Sequence, residues 1–401
     1  MQNKRLRDIS SRRLAIIGMT LVLGILVAVA SIPGCQRPSA VVVSFPDPGL
    51  ETAIRDAIGK PTGDIHDTDL IGLTSLNADY RGIVNLEGIQ YCTDLAMLDL
   101  YDNQIVDISA LSGLTNLTIL GLVSNQIVDI SALSDLTNLT ELPLTYNQIV
   151  DITPLSDLTN LTKLYLPSNQ IIDISALSGL TNLTELYLSN NQIIDISALS
   201  GLTNLTELLD LHDNQIVDIT PLSGLTNLTT LYLYDNQVRD ISALSGLTNL
   251  TWLTLYGNEI VEISALSGLT NLTGLFLKGN QIRDISALSD LTNLTMLNLY
   301  GNEIVDISEL SGLTNLTMLG LDSNQIVDLI PLSDLTNLTD LWLGGNQISD
   351  ISALVNNPGL GKQDKLSLLH NYLDLTPGSQ DMLNIEALQG RGVDVDFDPQ
   401  N

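Results

Sequence analysis

The stretch LTILGLVSNQIVDISALSDLTN, residues 117–138, recurs with small changes along most of the chain. The asparagine at its ninth position is evenly spaced: ten of the eleven intervals between successive copies are 22 residues and one is 23. A fixed period of this length predicts a solenoid, in which each unit packs only on its neighbours, and solenoids mostly serve as binding surfaces. The column comprises Asn103, Asn125, Asn147, Asn169, Asn191, Asn214, Asn236, Asn258, Asn280, Asn302, Asn324 and Asn346.

One unit can be interpreted position by position. With Leu117 as position 1, leucines at positions 1, 4 and 6 and isoleucines at 11 and 14 are predicted to point inward. Positions 3 to 7 alternate with period two, which predicts a short strand, and successive strands should stack about 4.8 Å apart in a parallel sheet. Serine or threonine at position 15 is interpreted as the N-cap of a short 3₁₀ turn, since proline directly follows it in Thr153-Pro154 and Thr220-Pro221.

Two polar columns follow from this frame. The asparagine column is predicted to be structural, because its amides can satisfy backbone groups that would otherwise be buried and unpaired. Position 13 is acidic and is interpreted as a solvated ridge, with calcium binding as the alternative. The acidic column comprises Asp107, Asp129, Asp151, Asp173, Asp195, Asp218, Asp240, Glu262, Asp284, Asp306, Asp328 and Asp350.

Charge excludes some classes of partner. The formal net charge is −30, and residues 1–34 contribute five basic residues against Asp8, which leaves −34 for the remainder. Such a surface repels nucleic acids and anionic lipid head groups. We therefore expect no nucleic-acid partner.

The N-terminus is interpreted as an export signal, residues 1–34. A basic stretch ends at Arg13, an apolar run covers residues 14–30, and Cys35 follows Ile32, Pro33 and Gly34. This arrangement resembles a bacterial lipobox with Cys35 as the lipidated residue, although Pro33 departs from the usual small residue. The alternative is an uncleaved membrane anchor, and both interpretations place the rest of the chain outside the cell, anchored to the membrane or envelope.

The pattern LxxLxLxxNxIxxI, as in LTELYLSNNQIIDI from Leu183, resembles the 22-residue class of leucine-rich repeats. That class is shared by bacterial internalins and by a regulatory subunit of protein phosphatase 1, and the export signal favours the internalin branch. The resemblance implies an α/β solenoid, a right-handed horseshoe with parallel strands on the concave face and 3₁₀ turns on the convex face. It also implies that the exposed strand face holds a protein partner.

The ends of the chain are predicted to cap this solenoid. The expected order is a tether at residues 35–44, a helical N-terminal cap at 45–72, repeats at 73–375, and a helix-plus-strand C-terminal cap at 376–401. In the N-terminal cap, Leu50, Ile54 and Ile58 share one helical face. In the C-terminal cap, a helix from Ser379 to Leu388, stopped by Gly390, precedes an alternating strand.

The candidate binding surface lies on the strand positions that face outward. Most of the chain's aromatic residues fall at positions 3, 5, 7 and 8, where the core is already filled by leucine, and exposed aromatics favour recognition. The alternative is that tyrosine merely suits strands. Protein binding is the leading hypothesis, with carbohydrate binding or an enzyme-regulating scaffold as alternatives. The candidate partner-binding residues are Tyr165, Tyr187, Tyr232, Tyr234, Trp252, Tyr256, Phe276, Lys278, Tyr300 and Trp342.

Catalytic and cofactor motifs are absent from the sequence, so we expect neither an enzyme nor a cofactor. The 23-residue interval is predicted to form a bulge near Leu208–Asp210. It brings Asp210, His212 and Asp213 together, but metal binding is disfavoured there against a solvated loop. Cys92 takes a leucine position and is interpreted as a small buried hydrophobe.

Overall fold

The computed structural model describes residues 40–401. The export signal, Cys35 and most of the expected tether lie outside these described residues. Fifteen strands, β3 to β17, form one parallel sheet in which every strand pairs with its neighbours in sequence. They are Ser75–Asn77, Met97–Asp99, Ile119–Gly121, Glu141–Pro143, Lys163–Tyr165, Glu185–Tyr187, Leu208–Asp210, Thr230–Tyr232, Trp252–Thr254, Gly274–Phe276, Met296–Asn298, Met318–Gly320, Asp340–Trp342, Lys365–Ser367 and Asp394–Asp396.

A short 3₁₀ turn lies between most successive strands, on the opposite side of each unit. The predicted leucine-rich-repeat solenoid, with a strand and a 3₁₀ turn in each unit, is confirmed. The turns are Ile89–Tyr91, Ser109–Leu111, Ser131–Leu133, Thr153–Leu155, Ser175–Gly179, Ser197–Gly201, Thr220–Gly224, Ser242–Gly246, Ser264–Leu266, Ser286–Leu288, Ser308–Gly312 and Ile330–Leu332.

A continuous leucine and isoleucine core runs through the sheet and the turns. In the unit that starts at Leu183, for example, Leu183, Leu186, Leu188 and Ile193 are fully buried. Parallel pairing sets leucine directly against leucine, as in Leu186 opposite Leu209 and Leu209 opposite Leu231. Burying each such side chain contributes about 1.5–3 kcal/mol, so the repeated leucine positions are the main source of stability.

The asparagine column joins neighbouring units. In Asn191, Nδ2 donates to the carbonyls of Leu166 at 3.0 Å, Leu188 at 3.0 Å and Ser189 at 3.2 Å. Its Oδ1 accepts from the backbone N–H of Ile171 at 3.0 Å. One side chain therefore satisfies buried backbone groups in two units, as the sequence predicts.

The capping of the 3₁₀ turns differs from the sequence-based expectation that serine or threonine is the N-cap. The carboxylate two residues earlier performs this role: Asp107 Oδ1 accepts from the N–H of Ser109 at 2.8 Å. The same 2.8 Å bond joins Asp328 to Ile330, which has no hydroxyl at all. The acidic column is thus both exposed and structural, because an aspartate is the right length to reach that N–H.

The 23-residue interval also differs from expectation. Strand Leu208–Asp210 pairs in register with both neighbours and contains no bulge. The additional residue lies just before it, where the carbonyls of both Thr206 and Glu207 accept from the Thr229 hydroxyl, each at 2.9 Å, whereas the equivalent threonine of ordinary units, such as Thr251, donates to one carbonyl. Absorbing the insertion ahead of the strand keeps Leu209 in the buried column.

The N-terminal cap begins earlier than predicted. Strand β1, Val42–Val43, lies within the expected tether and pairs antiparallel with β2, Ile65–His66. Helix α1, Pro48–Ile58, is capped by Asp47, whose Oδ1 accepts from the N–H of Gly49 and Leu50. The other oxygen of Asp47 accepts from Val84 at 2.8 Å and Asn85 at 3.1 Å, which fastens the helix to the first unit.

The C-terminal end consists of a helix and a strand. After the short helix α2, Ser352–Asn356, the helix α3 covers Gln380–Gly390 with Ser379 as its N-cap. Gly390 is thus the last helical residue and not the stop that the sequence predicts. Strand β17, Asp394–Asp396, adds to the sheet beside β16, Lys365–Ser367. Within residues 40–401, no helix is both long and apolar enough to span a membrane.

Candidate functional site

Positions 3, 5 and 7 of each unit point to the solvent side of the sheet, which we call the outer face. In and just after strand Thr230–Tyr232, Leu231 and Leu233 are fully buried, while Tyr232 and Tyr234, which alternate with them, lie on the other side. Because parallel strands stack about 4.8 Å apart, each outward position forms a column in which side chains from successive units touch.

The position 7 column contains a run of stacked rings. The His212 and Tyr234 centroids are 4.1 Å apart with an interplanar angle of 14°, and those of Tyr234 and Tyr256 are 4.2 Å apart at 18°. In the next two units, Lys278 Nζ lies 4.8 Å from the centroid of the Tyr300 ring. Both faces of the Tyr234 ring are therefore covered by neighbouring rings, and its hydroxyl is hydrogen-bonded to that of Tyr256, which leaves the ring edge for solvent or a partner.

The other two columns place Trp252 and Phe276 beside this run. Their centroids are 5.1 Å apart and the rings are tilted by 34°. Gly274 follows Trp252 in the same column, and its lack of a side chain leaves room for the indole. Thr254 lies between these residues and is 7% exposed, and its hydroxyl has no hydrogen-bond partner within residues 40–401.

We call this group the aromatic cluster. It unites most of the candidate residues, and the structure adds His212 and Thr254 to them. The flanking Asp210 and Asp213 suggest His212 only as a metal ligand, whereas its position 7 register, shared with Tyr234, is the sequence signal that places it in the cluster. The cluster comprises His212, Tyr232, Tyr234, Trp252, Thr254, Tyr256, Phe276, Lys278 and Tyr300.

Carboxylates border the cluster on one side. Asp210 Oδ1 lies 2.5 Å from His212 Nδ1, and Asp213 Oδ2 lies 3.8 Å from Nε2 of the same ring. Burial and the nearby Asp213 raise the pKa of Asp235, while His212 and Lys278 act in the opposite direction. Burial also raises the pKa of the Tyr256 hydroxyl to about 12, so this tyrosine is a neutral hydrogen-bonding group at pH 7.

The remaining candidates lie apart from the cluster. Tyr165 and Tyr187 stack at 4.7 Å, and Asp210 separates them from Tyr232 in the position 5 column. The Tyr187 hydroxyl donates to Glu185 Oε2 at 2.9 Å, and Lys163 pairs with the other oxygen of Glu185. The candidate residues therefore do not form one continuous surface.

Trp342 is the most isolated candidate. It faces Gly320 on one side and Ser367 on the other, and it makes no ring contact in the described part of the chain. The metal hypothesis gains no geometric support either. Among residues 40–401, no three histidine, cysteine or carboxylate side chains converge in an arrangement that could hold a metal ion.

The repeats of this chain are similar to those of known leucine-rich-repeat proteins. The family model for leucine-rich repeats (two copies) matches overlapping segments from residue 93 to residue 356. Internalin H of Listeria monocytogenes is 41% identical over 99 residues, which cover 22% of this chain and 18% of that protein. An internalin (inlF) structure from the same species is 34% identical with a TM-score of 0.72, covering 89% of this chain and 96% of that one.

This chain is an internalin-like leucine-rich-repeat protein. It nevertheless spans only about a fifth of the length of the curated internalins that it matches, 18% and 23%. Leucine-rich-repeat folds also occur in plants. The ectodomain of the receptor kinase GASSHO1/SCHENGEN3 from Arabidopsis thaliana, solved in complex with CASPARIAN STRIP INTEGRITY FACTOR 2, matches at 20% identity. Its TM-score is 0.51, and the match covers 80% of this internalin-like chain and 49% of the receptor chain.

Proposed function

We propose that this internalin-like chain is a non-catalytic, exported protein that holds a protein partner through the aromatic cluster on its outer face. The observation that carries the proposal is the run of stacked rings at His212, Tyr234 and Tyr256. A rigid aromatic surface with hydroxyls at its edge suits a protein interface, where tyrosine and tryptophan contribute much of the binding energy.

The same geometry argues against carbohydrate binding at this cluster. Sugars stack on exposed ring faces, whereas both faces of Tyr234 are covered by neighbouring rings. Trp252 is similarly packed, since it lies over Gly274 and against Phe276. A protein partner can instead contact ring edges and accept hydrogen bonds from the tyrosine hydroxyls.

The charges around the cluster indicate what the partner would present. Asp210, Asp213 and Asp235 lie at one side, where basic side chains of a partner would be favoured. At the other side Lys278 lies over Tyr300 and could pair with a partner carboxylate.

The relatives are consistent with this class of function. The plant ectodomain solved in complex with another protein shares the repeat fold. We further propose that residues 1–34 direct export and that Cys35 carries a lipid that anchors the chain outward in the cell envelope. The second cysteine, Cys92, is fully buried and is therefore unsuited to acylation.

Carbohydrate binding remains a second candidate at Trp342 alone. Its neighbours in the column are Gly320 and Ser367, which leave the ring without an aromatic partner. A weak glycan affinity that depends on Trp342 and not on the aromatic cluster would support this function.

The protein-binding proposal can be tested with the full-length chain in a pull-down from envelope and extracellular material. The test variant changes Tyr232, Tyr234, Trp252 and Tyr256 to Ala, and a matched control changes Tyr165 and Tyr187 to Ala. We expect a protein that the wild type and the control retain and the test variant loses. Identical eluates from all three would refute binding through the aromatic cluster.

A conservative variant separates contact from folding. Tyr234→Phe with Tyr256→Phe keeps the stacked rings and removes two hydroxyls, so the fold should be unchanged. We expect this variant to bind the retained protein about tenfold more weakly, since two interfacial hydrogen bonds contribute about 1–3 kcal/mol together.

A further inference from the structure

A second surface lies away from the outer face, on the flank between the strands and the 3₁₀ turns. Position 12 in six consecutive units is a β-branched apolar residue, and each is 47% to 54% exposed. We call this row the flank stripe; at about 4.8 Å per unit it is about 24 Å long. It comprises Val106, Val128, Val150, Ile172, Ile194 and Val217.

A shallow groove borders the flank stripe. Between Val150 and Ile172 the surface forms a groove of about 210 Å³ whose floor includes Ile152 and Ala176. Apolar side chains of a partner could therefore insert between successive members of the stripe, where exposed apolar surface is otherwise unfavourable.

A row of carboxylates follows the flank stripe, one in each unit. Each of these aspartates is exposed and accepts a backbone N–H, and hydrogen bonding lowers the pKa of Asp107, Asp151 and Asp218. From residue 95 to residue 227 the sequence contains a single lysine or arginine, Lys163, which lies on the outer face. The row comprises Asp107, Asp129, Asp151, Asp173, Asp195 and Asp218.

The C-terminal units lack this combination. Position 12 is arginine at Arg239 and Arg283, and each pairs with a glutamate of the next unit, Glu259 or Glu303. One valine remains between the arginines, Val261, and two adjacent ones follow them, Val305 and Val327. The unbroken apolar row with uncompensated negative charge is thus confined to the N-terminal half of the solenoid.

We propose that the flank stripe binds a cationic amphipathic helix of a partner, independently of the aromatic cluster. The negative charge beside the stripe favours a cationic occupant. A second copy of the chain would bring its own carboxylates, and anionic lipid or nucleic acid would be repelled. The spacing of a helix also fits, because one helical turn advances 5.4 Å and one unit of the solenoid advances about 4.8 Å. At 1.5 Å per residue, a helix of about 16 residues covers the 24 Å stripe. Apolar side chains at i, i+3 and i+4 face the valines and isoleucines, while lysine or arginine beside them pairs with the aspartates.

The test uses the full-length chain and a labelled synthetic helix of about 18 residues, with leucine on one face and lysine on the other. Fluorescence anisotropy measures binding to the wild type and to a variant with Val128→Thr, Val150→Thr, Ile172→Thr and Ile194→Thr. Threonine keeps the β-branched shape and all charges. We expect affinity to fall about tenfold or more in the variant, because four apolar contacts are lost while the charge is constant.

The matched control changes Val305 and Val327 to Thr in the C-terminal half, where we expect affinity within about twofold of the wild type. Equal affinity of the wild type and the quadruple variant, or equal binding of a peptide with glutamate in place of lysine, would overturn the proposal. A lack of measurable peptide binding to the wild type would also overturn the proposal. Circular dichroism checks folding, and single variants Val150→Thr and Ile172→Thr, each expected to weaken binding about twofold, replace the quadruple variant if it unfolds.

Discussion

The indole of Trp252 lies over the backbone of Gly274, so closely that a Cβ atom on Gly274 would be 2.5 Å from Cε3 of the ring. The glycine and the tryptophan occupy the same outward position in neighbouring units, with their strands in register. The position of the ring in the aromatic cluster therefore depends on a residue that contributes no side chain.

Gly274→Ala should displace this indole. The added methyl cannot fit beneath the ring, so Trp252 must leave its contact with Phe276, at a cost of about 1–3 kcal/mol for overpacking and the lost ring contact. Tryptophan fluorescence in a Trp342→Phe background measures the change in the environment of Trp252. As a control, Gly320→Ala faces only the Asn298 side chain, at 3.2 Å, and an equal spectral change there would contradict the explanation.

Thr254→Val should separate stability from binding. The Thr254 hydroxyl is buried without a partner among residues 40–401, so replacing it with a methyl group of similar shape should stabilise the fold by about 1 kcal/mol. Affinity for the retained partner should stay unchanged in the same variant, because the hydroxyl is buried and offers a partner no surface. Denaturant unfolding and the pull-down measure the two effects, and a loss of stability would show that the hydroxyl is satisfied in solution.

Asn191→Ala should destabilise the fold far more than the same change at an exposed asparagine such as Asn138. It removes one side chain that serves three carbonyls and one N–H, so we expect a loss of about 3 kcal/mol or more. Asn138 is the control, since it is exposed and donates only to Thr115, and its change to Ala should cost about 0.5–1 kcal/mol. Denaturation midpoints compare the two, and similar values would rule out the column as a structural support.

Asp99→Asn should make the fold less sensitive to pH. Burial and the adjacent Asp79 raise the pKa of Asp99 to about 7. Between the unfolded pKa near 3.9 and about 7 the folded state binds the proton more tightly, so stability falls as pH rises through this range. The asparagine variant should therefore gain about 1–2 kcal/mol at pH 8, after allowance for solvent screening, and nothing at pH 4. A pH-independent difference in melting temperature would contradict this.

Cys35→Ala should abolish lipidation. A labelled fatty acid supplied to a bacterial expression host should enter the wild-type chain and not the variant, and intact mass should show loss of residues 1–34 from the wild type alone. Cys92 cannot substitute, because it is fully buried and burial raises the pKa of its thiol to about 12. A wild-type mass that retains residues 1–34 would instead support an uncleaved membrane anchor.

The periodic part of the structure could be predicted from the sequence because each position has one role in every unit. Leu186, Asn191 and Tyr187 are examples of an inward, a joining and an outward position that the 22-residue frame alone identifies. The family relationship to internalins was predictable for the same reason.

What could not be predicted depends on distances between side chains of neighbouring units. Whether Asp107 or Ser109 caps the 3₁₀ turn depends on which side-chain oxygen is close enough to the turn's N–H group. The additional residue near Leu208 could equally have been accommodated before or after the strand. Likewise, tyrosine at an outward position does not reveal whether its face is open, as a sugar needs, or covered, as in Tyr234. The division of the candidate residues into the aromatic cluster, the Tyr165–Tyr187 pair and Trp342 also became visible only in the sheet register.

Because the strands pair in register, their spacing along the solenoid axis is constant, at about 4.8 Å from one unit to the next. Since the junctions on either side of residues 139–160 repeat the same bonds, removing these 22 residues would join Asn138 to Leu161 in an unaltered frame. Each unit gained or lost by duplication would then move the aromatic cluster along the axis by one step of about 4.8 Å, with its internal geometry intact. The distance between the N-terminal cap and the aromatic cluster can thus change during evolution in whole repeats, while the surface that recognises a partner is inherited unchanged.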